Sequence, residues 1–219
     1  MKSPSPPATA DIHSLTSGTL ILLDQLVTLL QTQIPAFSSS PDDVYARESR
    51  HLPKSTIGKH LRHVMDHFRL LNQGIQALDT HQVDGHDNAG NGNQENSTSI
   101  VRYCARSREV DAEKNISAGV VAIKETKEII KSWIEKYKDN PEALEEHIVI
   151  CDIPESGSKR EVKLGSSVSR EVWFCTHHMI HHLAIIKLIC SELGIKTSKD
   201  FGYAPSTILY QSQIANKGS

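Results

Sequence analysis

From Ser166 to Leu193 the chain carries apolar residues at helical spacing, uninterrupted by glycine or proline until Gly194, and histidines stand inside that apolar stripe. At 100° per residue, Glu171, Cys175, His178, His182, Ile185, Ile189 and Leu193 fall within about 80° of one another. His181 lies on the edge of this stripe and His177 off it. An imidazole facing a helix seam is costly unless its ring nitrogens find partners. One histidine there is ordinarily a hydrogen-bonded packing residue. Two at i, i+4 on one face have the spacing at which a helix offers two ligands to a single metal ion. A third ligand must then come from a facing helix, since two imidazoles alone rarely hold a catalytic ion.

Three further segments have helical periodicity and supply such facing surfaces. Ile12 to Ile34 repeats Leu15, Leu22, Leu26, Leu29 and Leu30, with Pro35 expected to set its end. Ser55 or Thr56 can cap a second helix reaching about Leu78, with Ile57, Leu61, Val64, Phe68, Leu71 and Ile75 on one side. A third helix is expected from near Tyr103 to about Lys138, bent at Gly119 and closed by Asn140-Pro141. Residues 80–99 are rich in Asn, Gly and Gln and read as a polar, mobile insertion. His147–Ile153 and Lys159–Leu164, around Pro154-Glu-Ser-Gly157, read as a β-hairpin. The expected architecture is all-α: a four-helix bundle with a small β-hairpin inserted between the third and fourth helices. The expected organisation is a tail over 1–10, one domain over 11–212 and a second tail over 213–219.

The second helix presents His60, His63 and His67 in KHLRHVMDHF, all flanking one edge of its apolar stripe. Helical geometry by itself favours His60 or His67 over His63 as the residue that reaches a shared site; a solvated polar edge is the plain alternative. Composition narrows the chemistry. Lys and Arg number 24 against 26 Asp and Glu, a formal charge of −2, so no basic surplus exists to neutralise a nucleic-acid backbone. Histidine, at 12 residues with seven in two clusters, is the unusual component.

Thr56-Ile-Gly-Lys-His-Leu-Arg-His63-Val-Met-Asp, followed by His178-Met-Ile-His-His182-Leu-Ala, resembles the DinB/YfiT-like family of metalloenzymes. The resemblance extends over roughly residues 11 to 195. It also takes in Tyr103-x-x-Arg106-x-Arg108, Ser169-Arg-Glu171 and Phe201-Gly-Tyr-Ala-Pro-Ser-Thr207, shared with a subgroup of DinB-like proteins. It implies a four-helix bundle binding one divalent ion through His63, His178 and His182. His60 and His67 are then alternates or supporting groups. The insertion at 80–99 and the hairpin depart from the family pattern and affect the entrance of the site.

Three neutral imidazoles leave an ion its full charge and an open position, the arrangement of a catalytic zinc site; nickel, iron or manganese accept the same ligands. Hydrolysis or thiol S-transfer of a small-molecule substrate is the activity expected. Glu171 is the candidate catalytic carboxylate, as general base or as a partner orienting a ligand, the alternative being a buried salt bridge with Arg106 or Arg108. Cys175 is a conceivable fourth ligand and more plainly a buried thiol. Arg106, Arg108 and Arg170 are candidates to clamp a substrate carboxylate. A second class of function is a non-catalytic metal-binding bundle, structural or interacting, with a homodimer as one form.

Met1–Ala10 has no apolar core of a secretory signal, and Leu20–Leu30 is broken by Asp24, Gln25 and Thr28. Four scattered cysteines do not make a disulfide framework. No membrane partner and a cytoplasmic location are expected. The run Phe201–Tyr210 is too apolar for a free terminus. It is expected to fold back, turned by Pro205, with Phe201 and Tyr203 near the mouth of the histidine site, or else simply to cover a helix seam.

Overall fold

Each long helix begins where the sequence offers a side-chain oxygen to an amide the helix leaves free. In the computed structural model, which describes residues 11–83, 99–105, 108, 110–153 and 160–217, Asp11 accepts from the Ser14 amide at 2.9 Å and opens α1 (Ile12–Phe37). Thr56 accepts from the Lys59 amide at 3.0 Å at the start of α3 (Ile57–Val83). Asn115 caps α4 (Ile116–Tyr137) through the Ala118 amide, and Ser167 caps α5 (Val168–Leu193). Gly194, at φ 80, closes α5 in the left-handed conformation glycine tolerates. Between them lie the short α2 (Pro41–Tyr45) and the strands β1 (Ile100–Val101), β2 (His147–Asp152) and β3 (Val162–Ser167); α6 (Pro205–Lys217) follows.

The chain is mostly helical with one small sheet. α1 packs on α4 and α5, and α3 packs on the same two, so the four long helices enclose one core. Their stripes meet there: Leu22, Leu23, Leu26, Leu29 and Leu30 from α1, Leu61, Phe68 and Leu71 from α3, Ile123, Ile130 and Trp133 from α4, Val172, Met179, Leu183 and Ile186 from α5. By length and composition alone α1 could cross a membrane. Leu22, Leu23, Leu26, Leu29 and Leu30 are buried against its neighbours, while Leu15 and Leu20 are half-buried.

Four expectations change. Pro35 does not end the first helix; the turn before it, Leu29–Gln33, widens to a π-helix, which absorbs the missing amide, and the helix runs to Phe37. The third helix begins at Ile116 rather than near Tyr103. Residues 100–101 instead pair parallel with β2, Ile100 opposite Val149, and Asp111–Glu113 form one 3-10 turn before the Asn115 cap. Gly119 does not bend that helix. It makes room for Tyr45, whose hydroxyl would lie 2.7 Å from a Cβ there. β3 is shifted to Val162–Ser167, antiparallel to β2 with His147 opposite Ser167, and it runs directly into α5. Pro154–Gly157, most of the 80–99 insertion (84–98) and Arg106 fall outside the described residues.

The C-terminal segment is also placed differently from the histidine mouth. Phe201 is buried, Gln25 of α1 bonds the Asp200 carbonyl and the Gly202 amide, and Lys187 lies 4.0 Å over the Tyr203 ring. The segment therefore covers the seam between α1 and α5. Pro205 opens a helix rather than fixing a turn, and that helix continues to Lys217, past the expected boundary at 212.

Gly58 sits in the first turn of α3 where the backbone of Glu113 crosses. A Cβ there would collide with the Glu113 carbonyl and reach within 2.7 Å of the Tyr45 ring. Gly58→Ala should therefore destabilise the fold by about 1–3 kcal/mol, the usual cost of overpacking. Chemical denaturation of the purified variant checks this; an unchanged midpoint would mean the crossing is loose.

Candidate metal centre

α3 and α5 lie side by side, and their histidines fill the seam between them. His178 and His182, one turn apart, aim from α5; His63 aims from α3. The ligand atoms of His63, His178 and His182 all lie within 4.8 Å of one another. His178 Nε2 is 2.9 Å from His63 Nε2 and 3.1 Å from His182 Nε2. Nitrogens at about 2.0–2.1 Å from a tetrahedral ion stand roughly 3.4 Å apart, so the three rings need little movement to share one. This group could hold a metal ion. The pair on α5 and His63 come together as the family pattern has it, whereas the helical wheel favoured its neighbours.

Those neighbours have other tasks. His60 Nδ1 is 2.8 Å from His182 Nδ1, on the far edge of the ring from the shared point. His67 Nδ1 donates to the His63 carbonyl at 2.8 Å, and its ring stacks on Tyr103 with centroids 4.8 Å apart. For His182 to offer an Nε2 lone pair, its proton must sit on Nδ1. His182 then donates to His60 Nδ1, which leaves the His60 proton on Nε2. That Nε2 is buried and has no hydrogen-bond partner.

Burial, and then the surrounding His63, His178 and His60 rings, push the basicity of His182 down to about 2. Burial also lowers His60. His182 is neutral at any ordinary pH, the state in which imidazole binds metal.

Glu171 is fully buried at the start of α5 and closed on all sides. Tyr103 Oη donates to Oε2 at 2.9 Å, Ser166 Oγ to Oε1 at 2.6 Å, and Arg170 Nη1 to Oε1 at 2.6 Å. The ion pair is thus with Arg170, not with Arg108. Glu171 reaches the histidines only through Tyr103, which it holds against His67. Cys175 is buried beside Tyr103 at 3.7 Å, its thiol kept protonated by desolvation, and it is not part of the three-histidine group.

Two clefts flank the seam. One, of about 690 Å³, is lined by Lys54, Lys59, His60, His63, Arg108 and His182 among others. The other, of about 550 Å³, is lined by His63, His67, Tyr103, Arg170, Phe174 and His178 among others. Arg108 and Arg170 therefore line different clefts. Lys54 and Lys59 were not singled out from the sequence; nothing in their spacing marks them, because the chain returns to the site there only through the loop before α3.

A buried polar network fixes the floor of the first cleft. Arg62 pairs with Asp66 at 2.8 Å and with Glu113 at 2.5 Å, and Arg69 pairs with Asp66 at 3.1 Å. It ties the 110–113 segment to α3 one residue before His63.

No family model matches the chain, and no solved structure does. Among curated proteins, FK506-binding protein 5 of Rhizopus delemar is 31% identical over 109 residues, half of this chain. The chain covers 27% of that protein's length.

The histidine cluster carries a pH dependence whose sign can be worked out. His182 takes up its proton near 6.5 when unfolded and only near about 2 when folded. Between these values the unfolded chain holds the extra proton, so stability falls as pH drops through about 6.5. The metal-free protein should melt at a lower temperature at pH 5.5 than at 7.5, before the carboxylates titrate. His182→Gln should flatten the profile. Equal melting temperatures for the wild type across this interval would contradict the burial of a neutral His182.

Proposed function

We propose that this chain is a divalent-metal-dependent enzyme with a DinB-like four-helix bundle fold, acting on a small molecule by hydrolysis or thiol S-transfer. The observation that carries this reading is the convergence of His63, His178 and His182 Nε2 on one point, with an open cleft on either side of them. Four enclosing helices and the ligand order, one histidine from α3 and an i, i+4 pair from α5, support the family reading. Zinc suits three imidazoles with a free position best; nickel, iron and manganese share the donor preference.

When bound, such an ion would act as a Lewis acid, polarising a substrate oxygen or lowering the pKa of a water or thiol. The chain's own residues prepare the rest. His60 holds His182 in the tautomer that frees Nε2. His67 ties its ring to the His63 backbone, and Tyr103, fixed by Glu171, packs on His67. Phe174, with its ring centroid 5.5 Å from that of His178, supplies an aromatic wall to the cleft on that side. Glu171 serves as a positioning group, since Tyr103, Ser166 and Arg170 occupy both of its oxygens.

Elemental analysis of protein grown with zinc, nickel, iron and manganese should give one divalent ion per chain. His63→Ala, His178→Ala and His182→Ala should each reduce it to well under one while the helical signal persists. Affinity should weaken as pH falls from 7.5 to 5, because protons compete for the same nitrogens. Absence of stoichiometric metal would overturn the reading. Stoichiometric metal without turnover on ester, amide and thiol-acceptor panels would leave a metal-binding module in place of an enzyme.

A further inference from the structure

Charge is distributed unevenly around the histidine seam. The whole chain carries a formal −2, yet the cleft that opens on His60 and His182 is lined by Lys54, Lys59, Arg62 and Arg108 against one carboxylate, Glu113. Lys59 pairs with Glu48 at 3.8 Å and Arg62 with Glu113 and Asp66, so the excess positive charge of that wall rests on Lys54 and Arg108. The opposite cleft has Arg170 against Glu171 and Asp152, a balance of −1. Arg62 is committed to Asp66 and Glu113. Lys54 and Arg108 have no carboxylate partner among the described residues, and both are exposed at the cleft rim.

Two details point inward from the rim. Lys54 adopts φ 63, a left-handed conformation that non-glycine residues seldom take. Lys59 Nζ donates to the Lys54 carbonyl at 2.8 Å and so holds that backbone in place. On the wall of the same cleft, His60 Nε2 is buried and unpartnered, and the tautomer set by His182 makes it an N–H donor. A wall of cations with a spare N–H has the donor set that recognises an oxyanion.

We propose that this cleft is an oxyanion-binding subsite, in which Lys54 and Arg108, with Lys59 beside them and the His60 ring in the wall behind, receive the carboxylate or phosphate of an acidic substrate beside the three histidines. The proposal deepens the metal-enzyme reading and rests on it only for what lies next to the anion. The cations belong to the chain whether or not an ion is bound, whereas the His60 Nε2–H is set when the His182 Nε2 lone pair is given to an ion. The same field raises the local concentration of anions and steers them to this side of the seam rather than the other.

Isothermal titration of the full chain with inorganic phosphate at low salt, in metal-loaded and metal-stripped forms, tests this. Both forms should bind, the loaded form more tightly, with affinity falling as salt rises. Lys54→Ala/Arg108→Ala should weaken phosphate binding about tenfold or more in both forms, the loss expected for charge-assisted contacts. Metal content and melting temperature should stay unchanged. Lys131→Ala/Lys138→Ala, which removes the same charge from a distant helix, should bind like the wild type. Phenylphosphonate and benzoate, titrated in parallel, tell a phosphate site from a carboxylate site. No binding of any of the three anions, unaltered affinity in the Lys54/Arg108 variant, or an equal loss in the Lys131/Lys138 control would each overturn the proposal. If the chain takes up no metal but loses phosphate affinity with Lys54 and Arg108, the metal reading fails and the subsite stands.

Discussion

The structure turns on one awkward burial. Five imidazoles, His60, His63, His67, His178 and His182, share the seam between α3 and α5. Burial holds His182 neutral there and lowers His60. Neutral rings at 2.9 and 3.1 Å also leave lone pairs directed at one another unless a proton or a cation lies between them. The surrounding fold can be understood as what keeps these rings in register. Thr56 and Ser167 cap the two helices, Gly58 lets the 110–113 segment cross α3 closely, and β3 leads without a loop into α5.

Charge is managed at the edges rather than at the centre. Arg62, Asp66, Glu113 and Arg69 form a buried network on one side, and Glu171 with Arg170, Ser166 and Tyr103 forms another on the opposite side. Burying ion pairs of this kind rarely adds net stability; removing a single partner is what harms the fold. Their value here is geometric. One network locks the rim of the basic cleft to the helix that carries His63. The other locks Tyr103 against His67. Both act on the histidines through packing and hydrogen bonds, which is why Glu171, the residue that looked most like a base in the sequence, ends up enclosed.

What the sequence revealed follows from which signals are local. The apolar stripes of α1, α3, α4 and α5 were readable because each repeats over several turns, and the i, i+4 pair on α5 was readable because both histidines share one helix. The choice of His63 over His60 or His67 came only through the family resemblance, since it depends on the rotation of α3 against α5, which no single-helix pattern contains. The early start assigned to the third helix failed for a related reason. Ile116, Val120, Ile123, Ile130 and Ile134 keep helical spacing, but Val110 stands about 120° from Ile116, Asn115 offers a cap, and Ile100–Val101 find a strand partner 49 residues later at Val149 and Ile150. The π-turn before Pro35 shows the reverse case, where a breaker residue is absorbed because Leu29, Leu30 and Ile34 are all fully buried. Arg108 and Arg170 looked interchangeable on paper; only the placement of the histidine wall between two clefts separates them.

Proton counting gives the arrangement a direction. His182 has two nitrogens and one proton; giving its Nε2 lone pair to the shared point sends the proton to Nδ1 and onward as a hydrogen bond to His60. His60 can accept only by placing its own proton on Nε2, the atom buried on the basic cleft without a partner. A cation held at the shared point would thus fix the tautomers of two rings, leaving an N–H on His60, a ring that lines the cleft of Lys54 and Arg108. On the other side the corresponding contact runs from His67 into the His63 carbonyl. Two clefts of similar size therefore differ in kind: one is lined by Lys54 and Arg108, the other by the aromatic faces of Tyr103 and Phe174. On the reading proposed above, an acidic group would enter the first, and the apolar remainder of a substrate that spans the seam the second.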